Sequence, residues 1–281
     1  MSIFPSPLVS CTQLQSIIDD QNLIVLDASI PPIGDQMLPD ARWPDVCIKG
    51  ARRCDINQEF SDHKNPSPHA MLSPENFQQV ARNIGINNES TIVAYDDLGL
   101  FSAARTWWMF KAMGHKNVYV LDGGLPQWLT LKLPTDKANN QVCYAKGNFN
   151  AHYQKSMFSS KEDVFNAIDK NTVRILDARS AERFYGKVDE PRVGVRKGHI
   201  PSSVNLPFTI LFEHGLFKPK KELLMLLSQY ATKEQSLIMS CGSGVTACIL
   251  ALAADISGYY TVSIYDGSWS EWGANHKLPI E

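Results

Sequence analysis

The chain has 281 residues, 44% of them hydrophobic and 20% charged, which is material for one large core or two ordinary ones and excludes disorder. Its 27 Lys+Arg against 29 Asp+Glu give a formal net charge of −2, so there is no electrostatic footprint for nucleic acid. No apolar run approaches the ~20 residues of a membrane span, and residues 1–5 lack the basic start and apolar stretch of a secretory signal, so a cytoplasmic protein is expected.

In chain order, β-branched runs predict strands over 24–26, 91–94 and 118–121, with helices over 74–84 and 103–113 between them. Residues 135–156 are rich in Asn, Lys, Gln and Gly and have no period, so they are expected to be a surface linker. Beyond them come a helix over 161–168, a strand at 175–176, a helix over 220–230, a strand over 237–239, a helix over 246–255 and a strand over 262–265. Buried strands alternating with amphipathic helices predict an α/β fold with mainly parallel sheets flanked by helices.

The two halves repeat each other. Leu23-Ile24-Val25-Leu26-Asp27-Ala28 returns as Val173-Arg174-Ile175-Leu176-Asp177-Ala178, an offset of 150. Thr91-Ile92-Val93-Ala94-Tyr95 matches Ser236-Leu237-Ile238-Met239-Ser240 at an offset of 145. Tyr119-Val120-Leu121-Asp122-Gly123-Gly124 matches Ser263-Ile264-Tyr265-Asp266-Gly267-Ser268 at 144, and Trp128 pairs with Trp272 at the same offset. The period is the size of a domain, which implies tandem duplication. The expected division is a first domain over 1–136, a linker over 137–157 and a second domain over 158–281.

Chemistry concentrates in one place. The 6 cysteines are Cys11, Cys47, Cys54, Cys143, Cys241 and Cys248; none form a C-x-x-C pair, so no metal site is expected. Cys241 alone stands where a strand turns into a helix, in Cys241-Gly242-Ser243-Gly244-Val245-Thr246. In open α/β sheets sites form at such carboxyl ends. A short glycine-containing loop can converge its N–H groups, and a helix N-terminus adds positive potential; both favour a nucleophilic thiolate. Asp96 holds the equivalent place in the first half, which is therefore expected to be inactive. Cysteine-dependent phosphatases put an arginine six or seven residues after the cysteine; those positions here are Ala247 and Cys248. Cys248 is expected to serve packing.

The loop, the tail Tyr265-Asp266-Gly267-Ser268-Trp269-Ser270-Glu271-Trp272 and the segment Gly198-His199-Ile200-Pro201 together resemble the tandem-domain 3-mercaptopyruvate sulfurtransferases of the rhodanese superfamily. Ser202 stands where that family usually has glycine. The resemblance implies two tandem rhodanese-like domains, the first inactive. It implies substrate-binding roles for Arg183 and Arg192, with Arg179 and Arg196 as structural or electrostatic background. It also implies a Ser–His–acid arrangement, carried here by Ser243 and His69. Asn57 stands where the acid is expected, leaving Asp62 as a substitute or no carboxylate at all.

The implied reaction uses mercaptopyruvate as a small-molecule substrate in a cleft between the halves and needs no metal or organic cofactor. Sulfur passes to Cys241 as a persulfide, cradled by Gly242, Ser243, Gly244, Val245 and Thr246. Pyruvate leaves, and a thiol acceptor such as thioredoxin or a small thiol (or cyanide in an assay) takes the sulfur. Two alternatives stay open. Thiosulfate could be the main donor, although the uncharged Gly242 and Ser243 argue for a carboxylate-bearing one. The chain could also be a non-catalytic rhodanese-like binding module, as Asp96 suggests for the first half.

Overall fold

The computed structural model describes residues 3–30, 45–138 and 142–281. The chain divides into two compact units. The first comprises 1–62 and 71–154, the second 63–70 and 155–281.

The first unit contains β1 (Leu8–Val9), α1 (Cys11–Ser16), β2 (Leu23–Asp27), β3 (Val46–Ile48), β4 (Arg52–Arg53), α2 (Pro74–Asn83), β5 (Thr91–Tyr95), α3 (Ala103–Ala112), β6 (Val118–Leu121), α4 (Gly124–Thr130) and β7 (Thr135–Lys137). Its main sheet has the order β1-β6-β5-β2-β4, with every pairing parallel. Every residue of β5 is buried, as expected of the central strand of a covered parallel sheet. Leu14, Val25, Val93, Tyr95, Leu121 and Trp128 belong to one core cluster of this unit. The start of α2 is set locally: the Ser73 side chain accepts from the Asn76 N–H and Pro74 opens the first turn.

The second unit contains β8 (Phe158–Ser159), α5 (Lys161–Ala167), β9 (Val173–Asp177), α6 (Ala181–Phe184), β10 (Val204–Asn205), a small hairpin of β11 (Phe212–Glu213) and β12 (Leu216–Phe217), α7 (Lys220–Leu227), β13 (Ser236–Ser240), α8 (Ala247–Ile256), β14 (Val262–Tyr265) and α9 (Ser268–Trp272). Its parallel sheet runs β8-β14-β13-β9-β10. Strand for strand this is the order of the first sheet, so the sequence repeat is a repeat of topology. Residues 247–254 of α8 are all buried, which places this helix in the interior of its unit.

The span expected as a linker is more ordered than its composition suggested. β7 pairs antiparallel with β3. Farther on, the N–H groups of Gly147, Phe149, His152 and Gln154 donate to carbonyls of Arg82, Ile86, Met113 and Ala112. Phe149, 2% exposed, packs among Phe77, Phe110 and His115. One buried aromatic and a ladder of backbone bonds hold this aperiodic stretch on the first unit; residues 139–141 lie outside the described ones. Residues 63–70, which the sequence places inside the first half, group with the second unit.

Candidate active site

β13 is the middle strand of its sheet, and Cys241 follows its last residue. The register pairs Ser240 with Asp177, and Ala178 N–H donates to the Ser240 carbonyl at 2.9 Å. The loops leaving β9 and β13 are therefore neighbours. Cys241 is 2% exposed, and Ser243 is buried. Gly244 has φ +80°, a region that penalises any Cβ, so glycine is the residue that can make this turn. The loop is pinned from behind by α9: Trp269 and Ser270 donate their N–H groups to the Cys241 and Gly242 carbonyls, each at 2.9 Å. Cys241 N–H donates to Ser268 Oγ at 3.2 Å, and that hydroxyl lies 4.0 Å from Cys241 Sγ. Cys248 is fully buried and its thiol donates to the Gly244 carbonyl at 3.3 Å, closing the loop onto α8.

Among the described residues, no backbone carbonyl accepts from the N–H groups of Gly242, Ser243, Val245 or Thr246. The first unit shows what such a loop can hold. There the carboxylate of Asp96, fully buried, accepts from four backbone N–H groups: Leu98 at 3.0 Å, Phe101 at 2.7 Å, Ser102 at 2.9 Å and Ala103 at 2.9 Å. Burial pushes the Asp96 carboxyl up, and the four N–H bonds oppose that shift.

A chain of charges reaches the Cys241 loop from β9. The Arg179 side chain is fully buried. It donates to Asp177 at 2.8–3.1 Å, to Glu190 Oε1 at 2.9 Å and to the Gly198 carbonyl at 3.0 Å. Its guanidinium lies 4.6 Å from the centre of the Trp269 ring. Burial works against its charge, but Asp177 and Glu190 outweigh that and hold it above the usual arginine range. Glu190 also accepts from Arg183, Nη2 at 2.5 Å and Nε at 3.3 Å. The Arg183 guanidinium lies against the loop: a Cβ on Gly242 would sit 3.0 Å from Arg183 Nη2. Burial and the Arg183 charge hold Arg192 below the usual arginine range, while Cys241 and Glu190 act in the opposite sense. Arg196 is spent on carbonyls of Trp272, Gly273, Asn275 and Leu278.

His69 Nδ1 lies 3.1 Å from Ser243 Oγ. Asn57 sits in a turn closed by Asp55, whose carboxylate accepts the N–H groups of Asn57 and Gln58. Among the described residues, no group of three or more His, Cys, Asp or Glu is placed to hold a metal ion, and no helix is long and apolar enough to cross a membrane.

The rhodanese-like domain family matches twice, over residues 10–131 and 160–275. The chain belongs to the rhodanese family. It is 38% identical over 275 residues to the 3-mercaptopyruvate sulfurtransferase of Escherichia coli K12, covering 97% of both chains. It is 40% identical over 260 residues to the human 3-mercaptopyruvate sulfurtransferase, covering 90% of this chain and 85% of that one. The crystal structure of SseA from Escherichia coli, described as a 3-mercaptopyruvate sulfotransferase, matches with a TM-score of 0.84 at 35% identity over 95% of this chain and 100% of that one. These full-length relatives place the chain among the 3-mercaptopyruvate sulfurtransferases of the rhodanese family.

At two positions of this rhodanese-family chain the fold adds what the residues alone do not give. Glu190 is the junction of the arginine network, yet in the sequence it is one acid among many; only the fold brings it to both Arg179 and Arg183. Ser202 has φ +61°, in the left-handed region, which is the physical reason for the family's usual glycine there. Here the Ser202 hydroxyl accepts the Asp169 N–H at 3.1 Å.

Proposed function

We propose that this chain takes sulfur from 3-mercaptopyruvate onto Cys241 and passes it to a thiol acceptor, releasing pyruvate. The Cys241 thiolate attacks the substrate sulfur. An S–S bond forms as the C–S bond breaks, and the electron pair goes to carbon as the enolate of pyruvate. The enolate takes a proton through Ser243 and His69, and the thiol proton of the substrate balances it, so the persulfide remains as an anion. Arg183 and Arg192 hold the substrate carboxylate and keto oxygen, and their charge favours the enolate as it develops. An acceptor thiolate then attacks the outer sulfur and Cys241 leaves as thiolate. The two half-reactions imply ping-pong kinetics.

One observation carries this reading: the four N–H groups filled by Asp96 in the paralogous loop. Counting bonds from Cα, a carboxylate oxygen of Asp96 corresponds to the outer sulfur of a persulfide on Cys241, not to Sγ. The resting thiol is one atom too short to occupy that place. The loop of the second unit thus has its amides to offer to the anion made during turnover, and hydrogen bonds to a charged acceptor are the strong ones.

The reading is tested by incubating the purified protein with mercaptopyruvate and measuring its mass. The expected result is a gain of one sulfur atom, mapped to Cys241, with release of pyruvate. No adduct on the wild type, or one that persists in Cys241→Ser, overturns it. Comparing kcat/KM for mercaptopyruvate and thiosulfate decides the donor, and mercaptopyruvate is expected to lead.

A further inference from the structure

The Asp177–Arg179–Glu190–Arg183 chain alternates in sign and ends against the Cys241 loop. It belongs to the second unit alone, since Ser29 stands where Arg179 would fall in the first. Each link is unequal. Arg179 is locked by Asp177, the Gly198 carbonyl and the Trp269 face, so it is a fixed anchor. Glu190, with 4% of its side chain exposed, is fixed in turn by Arg179. Arg183 is 22% exposed, and the one ion pair it makes among the described residues is with Glu190. Glu190 therefore does two things to Arg183. It holds the Nε–Nη2 edge of the guanidinium beside the Gly242 turn, and its carboxylate offsets one of the two positive charges that the proposed function gives to the substrate.

We infer that Glu190 acts with the uncharged Gly242 and Ser243 in setting donor preference, by reducing the charge of the Arg183–Arg192 pair to what a monoanion requires. This rests on Cys241 being the sulfur acceptor. A mercaptopyruvate with its thiol protonated carries one negative charge, in its carboxylate; thiosulfate carries two. Two uncompensated arginines in a half-buried site would suit the dianion. With Glu190 in place one net positive charge remains, and the second charge of thiosulfate goes unanswered. Glu190 itself touches neither substrate nor sulfur. It is a positioning and specificity-determining residue that acts through Arg183.

The test is the ratio of kcat/KM for thiosulfate to that for mercaptopyruvate in full-length protein, at fixed ionic strength. Glu190→Gln keeps the shape and removes the charge, and its ratio is expected to rise about tenfold, the scale of one added charge interaction at partly screened distance. Glu190→Ala, which admits water to the arginines, is expected to move the ratio in the same direction. Glu190→Asp keeps the charge and is expected to stay within about threefold of the wild-type ratio, whatever it loses in absolute rate. Thermal melting establishes which neutral variant folds cooperatively, and either one suffices. A purely structural role would lower both donors alike, so an unchanged ratio in the neutral variants overturns the inference, as does an equal shift in Glu190→Asp. Failure of the wild-type protein to gain sulfur on Cys241 would sink the proposed function instead, and the mass measurement reads that separately.

Discussion

The two loops that follow the central strands of the two sheets share one ancestry and differ in what fills them. After β5 the anion is built in: Asp96 occupies four backbone N–H groups. After β13 a cysteine takes that place, and the loop between strand and helix is one residue shorter, 241–246 against 96–102. The pair teaches that an anion-binding turn can be kept for stability or for chemistry. One side chain decides which: a carboxylate is a permanent occupant, whereas in the proposed function the thiol gains its anion only with a second sulfur.

The sharpest way to break this comparison is to exchange what each loop depends on. Cys241→Ser should lose sulfur acceptance outright while melting within a few degrees of wild type. Asp96→Ala should do the reverse: four buried N–H groups lose their acceptor, costing about 2–4 kcal/mol by urea denaturation, while the folded fraction still gains sulfur on Cys241. Equal effects of the two substitutions on stability, or loss of labelling at Cys241 in folded Asp96→Ala, would erase the distinction between the loops.

Ser243→Ala sharpens the chemical side. Without the hydroxyl 3.1 Å from His69 the enolate loses its proton path, and kcat/KM for mercaptopyruvate should fall about 100-fold, the scale of general acid catalysis. Persulfide should still form slowly. An unchanged rate would remove the Ser243–His69 pair from the reaction.

A smaller effect probes the first unit by pH. His115 is 4% exposed, with Nδ1 buried and without a partner among the described residues, and burial holds its pKa below the ordinary value. The unfolded chain then binds the proton more readily than the folded one. The contribution is complete above about pH 6.5 and is lost as pH falls toward the folded value. His115→Phe should therefore reduce the drop in Tm between pH 7 and pH 5 by about 2–4 °C. Parallel Tm curves for the two proteins would refute it. The smallest change expected is at Ser202, where Ser202→Gly relieves a left-handed φ and should add about 0.5–1 kcal/mol, less what the bond from Asp169 supplied. A loss of stability would show that this exposed hydrogen bond outweighs the backbone strain.

Much of this was legible in the residues. The duplicated strands 91–94 and 237–239 marked themselves by apolar runs at a nearly constant offset, and both are central strands. Cys241 was legible because strand, glycine-containing turn and apolar helix are local features. Short elements were not legible: β4 and β10 have two residues each, too few for any period. Phe149 was hidden too, since a single aromatic in a polar stretch gives no pattern, yet its burial fastens that stretch to the first unit. Arg183 and Arg192 came to attention through family resemblance; as isolated arginines they look like solvated charges.

The sequence by itself determined the repeat, the parallel α/β architecture and the strand–turn–helix setting of Cys241, because these depend on hydrophobic period and on neighbours along the chain. Tertiary structure decided the rest. His69 meets Ser243 across 174 positions of sequence, and Glu190 joins Arg179 to Arg183 beside the Gly242 turn. The fold alone brings such groups within 3 Å or so, the range over which a hydrogen bond or ion pair acts, and no pattern of residues along a chain records that distance.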